Sequence, residues 1–202
     1  MANKITPRGF TPLRYLNGAA WNGATNMYLV PVTDGSVISV GDAVKSAAGG
    51  DANGISAVAK AAGTDTVRGV VVGVLAANPN DPSLVGTNLD LTLQNIPAAK
   101  TKDYYVMVVD DPAVVFSLED DGVGALSAPA ACNKNAIFVV ANPVAPSQVS
   151  ATTLSTASIA TTATLNLKLL GLVQAPDNAY GPNADWAVMF NLHELRGSTT
   201  GV

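Results

Sequence analysis

Few residues in this 202-residue chain have the chemistry of an active site. His193 is its one histidine, Cys132 its one cysteine, and Glu119 and Glu194 are its only glutamates. A zinc site needs several nitrogen or sulfur ligands, and no second His or Cys stands near either residue. A Ser–His–Asp triad needs one histidine, so residue types alone leave it open. No G-x-S-x-G elbow accompanies His193, however, and its place at the end of an alternating run reads as that of a strand residue. Cys132 has only Lys134 nearby to lower its pKa and reads as an idle or buried thiol. Glu119-Asp120-Asp121 and Asp110-Asp111 offer oxygens suited to calcium, but neither has the spacing of a calcium loop, and both fall where turns are expected. A glycosidase-type carboxylate pair would have to be assembled from aspartates. Gly69-x-x-x-Gly73 lacks the Gly-Lys-Ser/Thr ending of a phosphate loop. The inventory predicts a protein that is not an enzyme and has no metal or cofactor.

The elements that would position these residues are strands. Trp186, Val188, Phe190 and Leu192 alternate with Ala187, Met189, Asn191 and His193, which predicts a strand with Trp186 and Phe190 in the core. Leu165, Leu167 and Leu169 alternate in the same way, as do Leu89, Leu91 and Leu93. Met27–Val32 is a β-rich run in which Pro31 predicts an edge or a strand end. Asp34-Gly35 predicts a hairpin turn into Ser36–Val40, a short run follows over Ala43–Lys45, and 47–54 reads as loop. Ile55–Ala62 fits a short strand better than a helix of two turns. Arg68–Leu75 predicts a buried strand, with Gly69 and Gly73 marking a bulge or the close approach of another backbone. Tyr104–Val109 and Val114–Leu118 are spaced for a tight hairpin, and Ala136–Val140 is a further apolar strand. The Ser/Thr/Ala-rich tract 146–164 carries Val149, Leu154 and Ile159 at five-residue spacing, which predicts ordered, extended chain rather than a free linker. Helix signals are nearly absent. The expected fold is all-β, a β-sandwich or jelly-roll-like barrel.

Composition bears on partners. Charged residues make up only 13% and hydrophobic residues 48%, where a soluble domain ordinarily carries about 25% charged. A surface so poor in charge fits one that is partly covered, by copies in a dimer or trimer among others. The net charge of −4 gives no general attraction to nucleic acid. No run approaches a membrane span, and MANKITPRGF has no secretory apolar region. One cysteine excludes an intrachain disulfide and fits a reducing compartment or an assembly that never relied on oxidation. Residues 1–25 show neither helical nor strand periodicity, because Pro7, Gly9, Pro12, Gly18 and Gly23 interrupt every run. Lys4, Arg8 and Arg14 precede the first acidic residue, Asp34. These features predict a basic, extended N-terminal arm over 1–25, outside a single β domain over 26–202. Arg8, Phe10, Arg14, Tyr15 and Trp21 are then the expected contact residues on a partner.

The block Gly9-Phe10-Thr11-Pro12-Leu13-Arg14-Tyr15-Leu16-Asn17-Gly18 resembles the opening arm of the tailed-bacteriophage head decoration, or cement, proteins. Tyr28-Leu29-Val30-Pro31, Val40-Gly41-Asp42-Ala43-Val44, Gly69–Gly73, Thr164–Leu172, Asp177-Asn178 and Trp186–His193 follow in the order seen in that family, across nearly the whole chain. The Ser/Thr/Ala-rich tract departs from the pattern. The resemblance implies a β-rich virion protein with no catalytic site. It would be made in the host bacterial cytoplasm and bound, through the major capsid protein, to the outer surface of an icosahedral head. Two other structural readings compete. A major capsid shell protein needs a long spine helix, for which no pattern is present. A tail or fibre component with carbohydrate-binding or lyase activity needs more exposed aromatics and paired carboxylates.

Overall fold

A closed barrel and a five-stranded sheet, built from interleaved parts of the chain, pack together through one apolar cluster, while the barrel keeps an interior cluster of its own. The computed structural model describes residues 3–75, 92–123 and 129–197. Its strands are β1 (Thr11–Tyr15), β2 (Asn26–Val30), β3 (Ile38–Ser39), β4 (Ala43–Gly50), β5 (Ser56–Lys60), β6 (Gly69–Leu75) and β7 (Asn95–Ile96). They continue with β8 (Tyr104–Val109), β9 (Val114–Glu119), β10 (Asn135–Ala136), β11 (Phe138–Val139), β12 (Thr153–Leu154), β13 (Leu167–Leu172) and β14 (Asp185–Phe190). Two single 3-10 turns, Pro129–Ala131 and Thr156–Ser158, are the only helical elements among the described residues. The fold is all-β, as the alternation and turn signals predict.

Strands β2, β5, β4, β6 and β8 close a barrel, and β1, β9, β14, β13 and β10 form a five-stranded sheet in that order. Neighbouring residues of a strand point to opposite sides, and the barrel shows it residue by residue. Val30, Val44, Val58, Val71, Val106 and Val108 fill its interior. Ala43, Val70 and Val109, their immediate neighbours, face outward and join the core of the sheet. On another outer face Leu29, Ala57 and Tyr105 form a smaller apolar cluster. In β6 the register shifts between Val71 and Gly73. This bulge lets Val71 and Val74 both face the interior, while Val70 and Val72 face the sheet. Gly69 sits where a Cβ would lie 2.3 Å from the Val109 carbonyl. The two glycines therefore do what their spacing suggests, a bulge and a close approach.

Several expectations from the sequence need correction. The chain does turn here, but over Pro31–Asp34, with the Asp34 N–H on the Pro31 carbonyl, while Asp34 Oδ1 accepts the Ser36 N–H, and no hairpin is joined. β2 pairs with β8 and β5, and β3 pairs with β7. The turn is held instead by Lys100, a fully buried cation whose ammonium donates to the Asp34 and Ser36 carbonyls. Nor do β8 and β9 pair, despite their spacing. β8 belongs to the barrel and β9 to the sheet, so Asp110–Ala113 carries the chain from one layer to the other. β4 runs on to Gly50, through a register shift after Ser46, into the stretch expected to be loop. The expected strand over Ala136–Val140 is split, β10 pairing with β13 and β11 with β12. Pro31 ends β2, as expected of a residue without an N–H. Of the leucine alternation at Leu89, Leu91 and Leu93, residues 89 and 91 lie outside the described residues.

The largest correction concerns residues 1–25. The chain has four phenylalanines, and all four meet around Phe10. Its ring centroid lies 5.2 Å from Phe190, 5.3 Å from Phe138 and 6.1 Å from Phe116. Phe10 is 2% exposed, and β1, directly after it, is an edge strand of the main sheet, paired with β9. Residues 9–21 are thus part of the β body and not an arm outside it. Glycine and proline do break the periodicity there, but the apolar side chains find their burial within the chain itself. β1 keeps Pro12 because an edge strand has a side where no N–H is required.

Candidate interaction site

The N-terminal segment remains the candidate site, with Phe10 withdrawn from it into the core. Residues 3–8 cross the end of the sheet and are fixed by polar contacts. Asn3 is held by the loop before β14. Its amide donates to the Ala179 and Pro182 carbonyls at 2.9 and 3.0 Å, and its side-chain oxygen accepts from the Ala179 N–H. The Thr6 N–H donates to Glu119 Oε2 at 3.0 Å. Arg8 Nη2 donates to Asp185 Oδ2 at 2.9 Å and reaches Ser117 Oγ at 3.5 Å. Lys4 and Ile5 stay outside, Ile5 with 70% of its surface exposed. Beside this segment runs a groove of about 540 Å³ lined by Thr6, Pro7, Arg8, Val144, Val149 and Ala151.

Of the five expected contact residues, Phe10 is excluded because it is buried. Arg8 is half-exposed but engaged with Asp185. Arg14, Tyr15 and Trp21 lie together around the turn after β1, where the Tyr15 N–H donates to the Ala19 carbonyl and the Tyr15 hydroxyl to Asn22. All three are half-buried, and Leu16 beside them is 50% exposed. Trp21 and Tyr15 rest on the sheet core, and the indole N–H of Trp21 is buried without a partner among the described residues.

The acidic residues weighed as ligands are occupied by backbone and side-chain donors. Asp120, 1% exposed, accepts from the Asn183, Ala184 and Gly122 N–H groups and from the Trp186 indole at 3.2 Å. Asp121 accepts from the Thr156 hydroxyl at 2.6 Å. Asp110 accepts from the Tyr28 hydroxyl at 2.6 Å and from the Asn26 amide. No cluster of three metal-ligating side chains occurs among the described residues. Burial and the Asp110 carboxylate push the Tyr28 hydroxyl up to about 12, although Arg68 donates to it at 3.0 Å and acts the other way. His193 is 2% exposed, and its Nδ1 accepts the Leu195 N–H at 3.1 Å. Burial, aided by the Arg196 guanidinium, lowers it to about 4 against the opposing pull of Asp110 and Glu194. Cys132 is half-buried, its sulfur 3.5 Å from the exposed Tyr180 hydroxyl.

Sequence reasoning missed Asp42. It is buried with Lys60 at 2.9 Å, and it accepts from the Ser39 N–H and the Ser150 and Thr152 hydroxyls. Ser150 and Thr152 belong to the Ser/Thr-rich tract, which is ordered as expected, with Leu154 fully buried. Its composition now has a physical reason. Ser150 and Thr152 serve Asp42, Thr156 serves Asp121, and the Ser158 hydroxyl accepts from the Ile137 N–H. A Ser/Thr-rich stretch within a few residues of buried apolar anchors is the signal that the hydroxyls face inward.

No helix among the described residues is long and apolar enough to cross a membrane. Comparison with known proteins finds no family model, no curated protein and no solved structure that matches the chain.

Proposed function

We propose that this chain is a structural virion protein that binds the outer surface of an icosahedral bacteriophage head and stabilises it, a decoration or cement protein without catalytic activity. The observation that carries the reading is the ordered series of sequence blocks from Gly9 to His193 that resemble that family. The all-β architecture is compatible with it. So is a surface on which Ile5, Leu16, Val139, Val144 and Leu195 stand at least 44% exposed. The partner is the major capsid protein, with further copies of this chain as neighbours in a dimer or trimer, and no direct contact with nucleic acid or membrane. A cement protein acts by mass action, binding the assembled shell better than the disrupted one. With Phe10 committed to the core, the contact falls to the surface around Arg14, Tyr15, Leu16 and Trp21 and to the segment bearing Lys4 and Ile5. The test is to mix the purified protein with undecorated heads and measure occupancy and the temperature at which the heads open. Saturable binding with a raised opening temperature is expected. Absence of binding to heads, with binding to tails or fibres instead, would overturn the proposal.

A further inference from the structure

Glu119 at the end of β9 and Asp185 at the start of β14 are directly opposed register partners in an antiparallel pair. Opposed side chains in such a pair stand with their Cβ atoms about 5 Å apart, and like charges there repel. Two contacts from the N-terminal segment ease that repulsion, the Thr6 N–H on Glu119 and the Arg8 guanidinium on Asp185. Glu119 is 4% exposed. Asp185 Oδ1 is buried and has no hydrogen-bond partner among the described residues. An acceptor without a donor, beside a second carboxylate, is the arrangement that one added proton would satisfy.

We propose that residues 3–8 are a proton-sensitive strap: Glu119 and Asp185 hold it as carboxylates, and a proton placed on Glu119 and donated to Asp185 Oδ1 loosens it. Protonation reduces the Thr6 contact from a charge-assisted to a neutral hydrogen bond. It also leaves Arg8 facing a carboxylate whose charge is partly met by its neighbour. The charged groups around Glu119 are Asp185 across the strand pair, Arg8 from the strap and Asp120, the residue directly after β9. Asp120 is itself tied to the Asn183 and Ala184 N–H groups and to the Trp186 indole. Burial first, then Asp185 and Asp120, place Glu119 above the ordinary glutamate range, while Thr6 and Arg8 draw it down. Strap and proton therefore compete for one carboxylate. The docked strap favours the ionised form, so strap opening increases as pH falls through the Glu119 transition, by up to about tenfold per pH unit for a one-proton competition. The pivot is Gly9, at φ +66°. Phe10 beyond it stays anchored by its ring and by its N–H on the Gly41 carbonyl at 2.8 Å. The released strap is thus a tethered basic peptide carrying Lys4, Ile5 and Arg8.

The test uses the full chain with Cys132→Ser and Ile5→Cys, the latter at an exposed position and carrying a nitroxide whose mobility is read from pH 8 to pH 4.5. The label should be restrained at pH 8 and become mobile on acidification while the far-ultraviolet circular dichroism stays constant. Glu119→Gln should make it mobile at every pH. Thr6→Pro, which removes the donor without touching the core, should do the same, and it keeps the test decisive if Glu119→Gln or acid perturbs the fold. A label that stays restrained at pH 8 in Thr6→Pro, or one whose mobility ignores pH in the parent while the fold persists, overturns the proposal.

Discussion

Gly9 and Gly41 lie backbone against backbone, each closing the space a side chain on the other would need. A Cβ on Gly9 would fall 2.3 Å from the Gly41 carbonyl oxygen, and a Cβ on Gly41 would fall 2.3 Å from the Arg8 carbonyl oxygen. Both residues have positive φ, 66° and 93°. The contact delivers Phe10 into the core, because its N–H bonds the Gly41 carbonyl. Alanine at either glycine is therefore expected to destabilise the protein through both strain and collision. Phe10→Ala, which empties the centre of the phenylalanine cluster, should cost about 3–5 kcal/mol. Urea denaturation of the three variants measures this, and deletion of residues 1–25 should abolish cooperative unfolding.

Asp42 supports the second prediction. It and Lys60 form an ion pair with side chains 1% and 9% exposed. Breaking a buried pair by removing one partner typically costs about 3–5 kcal/mol, since the other charge is left uncompensated. Asp42→Ala should show a loss of that size in chemical denaturation and should also loosen Ser150 and Thr152, whose hydroxyls it accepts. Faster amide exchange across 150–155 would register the loosening.

His193 sets a pH dependence. Its folded-state value of about 4 lies below the ordinary value of about 6.5, so between those limits the unfolded chain binds more protons than the folded one. Its contribution is complete above about pH 6.5 and is lost progressively toward pH 4, reaching roughly 3 kcal/mol. His193→Gln should flatten that part of the stability-against-pH curve. It should leave binding to heads nearly unchanged, because the side chain is buried.

Tyr28 gives the opposite slope at high pH. Its hydroxyl is raised to about 12, so its contribution is complete below pH 10 and falls as pH rises from 10 toward 12. Ultraviolet titration should show a tyrosine ionising near pH 12, and Tyr28→Phe should remove that step. The same substitution takes a donor from Asp110 and should cost about 1–3 kcal/mol.

What could be read from the sequence, and what could not, divides along physical lines. Period-2 alternation is a local property, so the strand ending at Phe190 and the burial of Trp186 were legible. Strand partners are not local. Asp34-Gly35 and Asp110-Asp111-Pro112 report that the chain turns, but not which strand it meets afterwards, and both apparent hairpins proved to be crossings to other partners. The aromatic residues of the first 25 positions correctly demanded burial. Nothing in their spacing revealed that Phe138 and Phe190, more than a hundred residues away, would supply it. At the site, Arg8 was legible as a charge. Its carboxylate partner was not, because the opposition of Glu119 and Asp185 exists only once β9 and β14 are in register.

The threading of the sheet has a consequence for how the protein is made. Its first three strands in spatial order come from the beginning, the middle and the end of the chain, β1, β9 and β14. The barrel strands all lie between Asn26 and Val109, so they leave the ribosome long before β14 does. Translation therefore holds Phe10 without its Phe190 neighbour until residue 190 has been made. During that interval the nascent chain displays a finished barrel beside an open, aromatic half-core, the kind of exposed apolar surface that chaperones bind and that aggregates when crowded. Non-local pairing of this kind is also slow.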